Sequence, residues 1–188
     1  MAEVSTDEAA ADAPEEIPEP ELYNGFPISY SRGQRVLHVP REQLVDTVIK
    51  LHDDGYLMCI DVAGVDYLTF GRRTLAEGDI ISHARTVPGD IEPQRFEVVY
   101  QFLNHTERAR IRLRVQVPED DPQVPSLFER HPGTEAMERE VFDMYGVSFS
   151  GHPDLSRILM PEDWIGHPLR KDYSSGRIPV QFKGAPSR

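Results

Sequence analysis

Residues 95–117 decide the fold of this chain, and they read RFEVVYQFLNHTERARIRLRVQV. Large apolar residues take every second position on both sides of the polar NHTER segment: Phe96, Val98, Tyr100, Phe102, Ile111, Leu113, Val115 and Val117. This alternation predicts an antiparallel hairpin with one buried face. Arg110, Arg112 and Arg114 occupy the opposite side of the second strand. We interpret that row as the solvated face of an edge strand, with a functional basic surface as the alternative.

The segment before the hairpin predicts strands and a first helix. Residues 34–39 are a short strand candidate, and Pro40 suits the first position of a helix. The apolar face of that helix is formed by Leu44, Val45, Val48, Ile49 and Leu51. Gly55 predicts its end, and the β-rich residues 56–70 predict another strand. Residues 71–93 are polar and contain glycine, which predicts a long excursion between strands.

A second helix is predicted after the hairpin, over residues 135–145. Thr134 is a plausible N-cap, and Glu135 in the first turn suits the helix dipole. The packing stripe of this helix consists of Met137, Val141, Met144 and Tyr145. Gly146 fits the left-handed position that ends a helix. The predicted domain, residues 23–150, therefore combines strands with two main helices.

The two ends of the chain differ in composition from this domain. Of a net charge of −12 over 188 residues, residues 1–22 contribute eight acidic side chains and no Lys or Arg, which leaves −4 for the rest. Such a stretch has too little apolar surface to fold, and we expect a disordered acidic tail. Residues 151–188 contain five prolines and no helical or strand period. This segment, called the arm below, is expected to be extended and held against other chains.

Composition also bounds the location and the chemistry. The sequence shows no secretory signal and no apolar run long enough to cross a bilayer, so we expect a cytosolic or cytosol-facing protein. No basic stripe supports binding to nucleic acid. The single cysteine, Cys59, lies in an apolar stretch and is expected to be a buried small hydrophobe. One thiol cannot hold an iron–sulfur cluster, which normally needs four.

No catalytic constellation is visible in the residues alone. Glu138 and Glu140 are two apart on the predicted helix and point in opposite directions, so they cannot converge as a carboxylate pair. Arg139 has Glu135 four residues before it and Asp143 four residues after it, which predicts an intrahelical charge ladder. The three histidines considered as metal ligands, His131, His152 and His167, lack helical metal-pair spacing, and each precedes a proline. A metal site is therefore disfavoured.

The clearest signal of function is a resemblance carried by residues 138–173, EREVFDMYGVSFSGHPDLSRILMPEDWIGHPLRKDY. This run resembles the signature of the C subunit of respiratory NADH–quinone oxidoreductase, complex I. The similarity extends upstream through RFEVVYQF, the arginine-bearing strand and VPSLFE, and covers roughly residues 56–182. Ser156 departs from the pattern, because a second basic residue is expected before Arg157.

The resemblance implies an α+β fold, a two-layer domain whose mixed or antiparallel sheet is packed by two main helices and continued by the irregular arm. It also implies a non-redox structural subunit without its own cofactor, with FMN, iron–sulfur clusters and quinone in partner subunits. Those partners are the cluster-bearing and quinone-site subunits of the peripheral arm. The implied location is the cytoplasmic face of the plasma membrane, reached only through the complex.

The resemblance further implies an interface role for charged residues of the signature. Glu138 and Glu140 are expected to bridge to the arm or to a neighbouring subunit. The expected opposing charges are Arg157, Arg170 and Lys171, with Asp154 and Asp172 available to cations across the contact. Trp164 is expected to fill a pocket at the centre of the interface. Arg139, Asp143, His152 and His167 complete the set of expected interface or structural residues.

Two alternative functions stay open at this point. A protein of the same type could serve a sibling complex, such as a plastoquinone reductase, a coenzyme F420-linked dehydrogenase or a membrane-bound hydrogenase. Nothing in the chain identifies the electron donor. A stand-alone metal hydrolase is the alternative from a different class, and a stoichiometric metal with turnover in the isolated chain would favour it.

Overall fold

The structure is a computed structural model, and it describes residues 21–69 and 91–174. Within these ranges the chain forms ten strands and helices and two short 3₁₀ turns. In chain order they are β1 (Leu22–Tyr23), β2 (Phe26–Ser31), β3 (Gln34–Val39), α1 (Leu44–Asp53), β4 (Met58–Asp66), β5 (Phe96–Asn104), β6 (Ala109–Val117), β7 (Gln123–Pro125), α2 (Glu135–Tyr145) and β8 (Ser148–Ser150). The 3₁₀ turns, Arg41–Gln43 and Pro132–Thr134, directly precede α1 and α2.

The main sheet has six strands in the order β1-β2-β3-β6-β5-β4. The predicted hairpin is confirmed, since β5 and β6 pair antiparallel from Phe96↔Val117 to Asn104↔Ala109. Strand β3 runs parallel to β6, which makes the sheet mixed, while its other pairs are antiparallel. A second sheet consists only of the parallel pair β7 and β8. The predicted α+β class with a mixed sheet and two main helices is confirmed.

Strand β6 lies inside the sheet, so the interpretation of its arginine row as an edge-strand face is wrong. The strand is covered on one side by β3 and on the other by β5. Arg110 is exposed, whereas Arg112 and Arg114 are half-buried. Arg114 donates from Nε to the carboxylate of buried Glu97 at 2.7 Å. Alternation along one strand cannot tell an edge from an interior position, because both have a polar face when only one face of the sheet is packed.

The apolar core is built from alternate residues of the central strands and from the inner faces of the helices. Tyr100, Phe102, Leu113 and Val115 are fully buried in it. Helix α1 adds Leu44, Thr47, Val48 and Leu51, while Val45 and Ile49 of its predicted face are only half-buried. Gly55, at a φ of +87°, adopts the left-handed conformation expected just after α1.

Helix α2 has the predicted bounds, and it packs against β4. Its ring of Tyr145 lies against Gly64 of β4, where a β-carbon would come within 2.5 Å of the ring. Gly146 ends the helix at a φ of +74°, as predicted. Thr134 does not cap it with its side chain, because Thr134 lies in the preceding 3₁₀ turn and its hydroxyl donates to Glu138 instead.

Strands β1 and β2 were not predicted from the sequence. Leu22, the last residue of the predicted tail, already pairs with Pro27. The remainder of the tail, the excursion expected at residues 71–93 as far as residue 90, and residues 175–188 of the arm lie outside the described residues. Among the helices of the described ranges, none is long and apolar enough to span a membrane.

Candidate interaction surface

The arm has no helix or strand in its described part, residues 151–174, yet it is held by a buried carboxylate of α2. The side chain of Asp143 is fully buried. One of its oxygens pairs with the guanidinium of Arg157 at 2.6 Å. The other accepts three consecutive backbone N–H groups of the arm, those of Ile158, Leu159 and Met160, at 3.1, 2.8 and 2.8 Å. These groups are called the first anchor below.

The hydrogen bonds of the first anchor favour the charged form of Asp143. Burial raises the pKa of this carboxyl, but the N–H groups of Met160 and Leu159, the guanidinium of Arg157 and the N–H group of Ile158 together outweigh it. The pKa of Asp143 is therefore lowered from its usual value. Since the carboxylate is ionised at neutral pH, it satisfies arm N–H groups that would otherwise need water.

Arg139, one turn earlier on α2, fixes the beginning of the arm. Its Nη1 donates to Glu135 at 3.1 Å, which confirms the first half of the predicted charge ladder. The second half is wrong, because Asp143 is turned inward to Arg157. Arg139 instead donates to the Ser156 carbonyl at 3.0 Å and to the Ser156 hydroxyl at 2.8 Å. Ser156 stands where a basic residue was expected. Instead of a second cation it provides two acceptor oxygens for the guanidinium of Arg139.

Two further predicted residues shape this part of the arm. Asp154 accepts the Ser156 N–H at 2.9 Å and its hydroxyl at 3.2 Å, and these bonds lower the pKa of the Asp154 carboxyl. His152 accepts the Asp154 N–H on Nδ1 at 3.1 Å. Its other nitrogen, Nε2, lies 3.1 Å from the carbonyl of Glu135 and must donate, since a carbonyl only accepts. His152 therefore connects the start of the arm to the first turn of α2.

The arm also satisfies the free carbonyls at the C-terminal end of α2. Nδ1 of His167 donates to the Asp143 carbonyl at 3.0 Å, the Leu169 N–H donates to Met144 at 3.0 Å, and Nε of Arg170 donates to Tyr145 at 2.6 Å. Such carbonyls otherwise lack partners, and a cation near them suits the negative end of the helix dipole. Gly146 permits this approach, because a β-carbon there would lie 2.6 Å from His167 and 2.7 Å from Arg170.

A second anchor holds the end of the described arm and consists of Asp66, Arg95, Asp172 and the Lys171 N–H group. Asp66, at the end of β4, accepts the Lys171 N–H at 2.8 Å and pairs with Arg95 at 3.0 Å. Arg95 also pairs with Asp172 at 2.9 Å and with Glu119. Burial raises the pKa of Asp66, but its hydrogen bonds from Arg95, Lys171 and Leu68 outweigh that effect and lower the pKa.

The glutamates of the signature are not paired with the cations expected for them. Glu138 is fully buried and accepts from the Ser126 hydroxyl at 2.5 Å, the Thr134 hydroxyl at 3.0 Å and the Leu127 N–H at 2.8 Å. It therefore fastens residues 126–134 to α2 within the domain, because its three donors all come from that segment. Glu140 is exposed and has no hydrogen bond or ion pair with the described residues.

Arg157, Arg170 and Asp172 of the arm bond to the domain, whereas five of its large apolar side chains are exposed. The exposed fractions are 41% for Ile158, 58% for Leu159, 37% for Trp164, 90% for Ile165 and 45% for Leu169. These five residues are called the apolar row below. Several large apolar side chains together on a surface mark a contact site for a protein or a membrane. The predicted interface residue Trp164 belongs to this row, and its partner stays a prediction.

The histidines considered as metal ligands are each engaged elsewhere. His131 is buried edge-on against Phe102, at 5.4 Å between ring centroids, and burial lowers its pKa. His152 and His167 bind backbone groups at opposite ends of α2. Within residues 21–69 and 91–174, no three His, Cys, Asp or Glu side chains are placed to hold one metal ion. Cys59 is half-buried, and burial raises the pKa of its thiol to about 12.

Sequence reasoning missed the second anchor and the direction in which Asp143 points. Asp66 and Arg95 lie 29 residues apart. Asp66 fell within the strand predicted over residues 56–70 and Arg95 at the start of the predicted hairpin, and neither was given a role. The only sequence signal for these two residues is a charge next to the apolar run of a strand. Such charges are common on protein surfaces, so the signal is weak. The arm's irregularity suggested that other chains hold it. Its described part is in fact bonded to its own domain at His152, over residues 156–160 and again over residues 167–172.

Comparison with known proteins places the fold and this arm in one family. The family model described as respiratory-chain NADH dehydrogenase, 30 Kd subunit, matches residues 37–178. This match covers about three quarters of the chain, including both anchors and the apolar row. The chain belongs to this family, and the resemblance noted in the sequence is confirmed.

Curated relatives are named as the C subunit of NADH-quinone oxidoreductase. The protein of Saccharopolyspora erythraea is 43% identical over 161 residues, which is 84% of this chain and 56% of the relative. That of Mycolicibacterium gilvum is 40% identical over 157 residues, 82% of this chain and 60% of the relative. The chain thus spans little more than half the length of these relatives.

Two solved structures share the fold. A trypsin-resistant fragment of Nqo5 matches with a TM-score of 0.56 at 30% identity, over 70% of this chain and 91% of the fragment. A chain of an archaeal respiratory membrane complex, the membrane-bound sulfane sulfur reductase, matches with a TM-score of 0.57 at 18% identity, over 87% of this chain and 89% of that chain. The second likeness concerns the fold alone.

Proposed function

We propose that this chain is a non-redox structural subunit in the peripheral arm of a proton-translocating NADH–quinone oxidoreductase, where it positions the quinone-reducing module. In this proposal electrons pass through FMN and iron–sulfur clusters to quinone in partner subunits. This chain contributes no catalytic step of its own and binds no cofactor. Its contribution is geometric, because electron transfer and the shape of a quinone site tolerate little displacement of the subunits.

The observation that carries this proposal is the arrangement of the arm. Its Arg157, Arg170 and Asp172 side chains bond to groups of the domain, whereas the apolar row is exposed. Exposure of several large apolar side chains to water is unfavourable. Such a group therefore normally marks a surface that another molecule covers. Together with the family assignment, this arrangement supports a role in holding other subunits.

The proposed partners are the cluster-bearing and quinone-site subunits of the same complex. The proposed location is the cytoplasmic face of the plasma membrane, with attachment through the complex rather than through lipid. Subunits of the same type in plastoquinone, F420-linked or hydrogenase complexes are a subordinate alternative. The relatives at 40% identity and above, whose names refer to NADH and quinone, favour the NADH-linked complex.

Purification of the tagged chain from gently solubilised membranes tests the proposal. We expect recovery of cluster-bearing partners together with NADH–quinone reductase activity. A matched preparation from a strain with an untagged chain controls for adventitious recovery. A lone soluble protein, or an isolated chain that carries a stoichiometric metal and turns over a substrate, would contradict the structural role and favour the hydrolase alternative.

A further inference from the structure

The middle of the arm, residues 158–166 (ILMPEDWIG), forms a loop that Arg157 holds at both ends. At the start, Nη1 of Arg157 pairs with Asp143, whose other oxygen accepts the amides of residues 158–160. At the end, Nη2 of Arg157 donates to the Gly166 carbonyl at 2.9 Å. Between these points the Trp164 N–H donates to the Pro161 carbonyl at 3.0 Å, which makes residues 161–164 a β-turn. Residues 158–166 are called the arm loop below.

The arm loop exposes carboxylates and large apolar side chains next to each other. Residues 161–165 are all exposed, and they include Glu162, Asp163, Trp164 and Ile165. A β-turn brings its first and last residues within about 7 Å, so the two carboxylates at its centre lie close to Trp164. The loop contains these two acids and no Lys or Arg. It therefore combines four residues of the apolar row with an excess of negative charge.

The shape of the arm loop is fixed before any partner binds. Gly166 ends it at a φ of +88°, and a β-carbon there would come within 3.0 Å of the Tyr173 ring. The side chain of Arg157 is 15% exposed, and Asp143 below it is fully buried. Because the loop is attached to its own domain at both ends, a partner meets an ordered surface and removes little conformational entropy.

The chemistry of the loop defines the surface that fits it. A partner that covers Trp164 and Ile165 also removes water from Glu162 and Asp163, which precede them directly. A carboxylate that loses water needs a charged donor in exchange, and uncompensated acids are depleted from the centres of interfaces. Lysine or arginine on the partner supplies such donors. The matching surface is therefore apolar at its centre and basic where it meets the turn.

A lipid surface matches the arm loop less well than such a protein surface. Segments that bind membranes through aromatic and aliphatic side chains normally carry Lys or Arg toward the anionic headgroups. The loop carries none, and the negative potential of an anionic leaflet repels Glu162 and Asp163. The charge pattern therefore favours a protein partner.

We propose that the arm loop docks into an apolar groove of a partner subunit whose rim carries lysine or arginine. Trp164 and Ile165 enter the groove, and Glu162 and Asp163 pair with the basic rim and fix the orientation of docking. This inference rests on the proposed function, because the partner is a cluster-bearing or quinone-site subunit of the same complex. It adds the chemistry of the partner's surface.

A photocrosslinker in the intact complex tests which molecule covers the loop. The tagged chain carries Pro161→p-benzoylphenylalanine, next to the two acids at an exposed position, and the purified complex is illuminated. We expect one crosslink to a cluster-bearing or quinone-site subunit, within a peptide that contains Lys or Arg. A link to lipid, to a second copy of this chain or to other residues of the same chain would overturn the proposal.

Charge reversal tests the basic rim. In the double variant Glu162→Lys and Asp163→Lys we expect at least about tenfold less partner per tagged chain. The matched control is Asp53→Lys with Glu129→Lys, two exposed acids outside the arm, which should recover partners as the wild type does. Urea denaturation of each isolated chain should stay unchanged, because all four side chains are exposed. Equal recovery in the two double variants would overturn the basic rim.

Salt separates charge pairing from apolar contact. Partner recovery with the wild type should fall as sodium chloride rises from about 0.1 to about 1 M, because screening weakens the rim pairs. In Glu162→Gln with Asp163→Asn it should depend much less on salt, and the same dependence as in the wild type would overturn the pairing. If the wild-type chain recovers no cluster-bearing partner at any salt concentration, the proposed function fails together with this inference. If it does and only the charge tests fail, the proposed function stands without the basic rim.

Discussion

Asp143 and Glu140 carry the same charge three residues apart on α2, yet their surroundings differ completely. Asp143 is fully buried among Arg157 and three N–H groups, whereas Glu140 is exposed and unbonded within the described ranges. Removing one partner of a buried ion pair leaves the other charge without compensation, while removing an exposed charge changes little. The two residues therefore form a matched pair for testing the first anchor.

We expect Asp143→Asn to release the arm and to lower the stability of its attachment by about 3 kcal/mol, because Arg157 loses its counter-charge. The measurement is hydrogen exchange at the amides of Ile158, Leu159 and Met160. Those amides should exchange much faster in the variant. In the Glu140→Gln control they should exchange as in the wild type. Unchanged protection in Asp143→Asn would show that the carboxylate does not hold the arm.

The same residue predicts how the arm responds to acid. The pKa of Asp143 is lowered in the folded chain, so its contribution to stability is complete above the ordinary aspartate value of about 3.9 and is lost as the pH falls through the lower folded value. Trp164 is the only tryptophan and lies between the anchors, so its fluorescence reports the arm. We expect its acid transition below about pH 3.9 and much reduced in Asp143→Asn. A wild-type midpoint above that value contradicts this assignment.

Glu138 gives a further test at the residue scale. Its carboxylate is surrounded by two hydroxyl donors and one N–H donor, and no cation offsets its charge within the described ranges. In Glu138→Gln the amide NH₂ faces donors, so we expect urea denaturation to show a loss of about 1–3 kcal/mol. Glu140→Gln, the same change two residues away, should stay within about 0.5 kcal/mol. Equal effects would contradict the buried network.

At the scale of elements, the end of α2 and the arm form one structure. Three helix carbonyls accept from His167, Leu169 and Arg170, and the hydrogen bonds of His167 and Arg170 span 24 and 25 residues of sequence. Gly146 makes this approach possible for two reasons. Its φ of +74° suits the end of the helix, and its missing side chain leaves room for His167 and Arg170.

We expect Gly146→Ala to combine backbone strain with a clash against the arm. Gly33→Ala is the matched control, because Gly33 has nearly the same φ, +76°, but nothing lies within 4 Å of a β-carbon there. Strain alone should cost about 1–2 kcal/mol in both variants, as measured by urea denaturation. Only Gly146→Ala should also change Trp164 fluorescence. A change of equal size in both variants would exclude the clash.

The sequence predicted elements well where a local pattern determined them. The hairpin has an unbroken alternation, and α2 has an apolar stripe followed by Gly146, so both were predicted with correct bounds. Strand β2 was missed, although Phe26 and Ile28 alternate, because Pro27 within the run argues against a strand. It is tolerated here opposite Leu22 of the two-residue strand β1.

The anchors could not be predicted, because the groups that form them are distant in sequence. In addition, one partner of each anchor lies in the arm, which has no helical or strand period. A carboxylate on a helix is usually solvated, and the local alternative for Asp143, a pair with Arg139, has ideal spacing. The observed partners, Arg157 and the following amides, lie 14–17 residues ahead in a segment with no period. The energy of three N–H bonds and one ion pair outweighs the weak helical pair.

At the scale of the whole molecule, the anchors separate two roles that the arm was expected to combine. The polar groups of the two anchors attach the arm to its own domain, whereas the apolar row is exposed and is the surface proposed for a partner. A partner that meets an arm already fixed in place has less conformational entropy to remove on binding. Stability of the isolated chain and assembly of the complex should therefore respond to different residues.

Ile165, 90% exposed, tests this separation. In Ile165→Asp we expect unchanged urea denaturation of the isolated chain, because no buried contact is removed, but loss of cluster-bearing partners from the purified complex, because a charge then faces an apolar contact. Leu57→Asp is the matched control, since Leu57 is 59% exposed at the entrance to β4 and lies outside the arm. It should co-purify with partners as the wild type does. Full assembly of the Ile165 variant, or equal losses in both, would remove the apolar row from the interface and leave the anchors with a purely internal role.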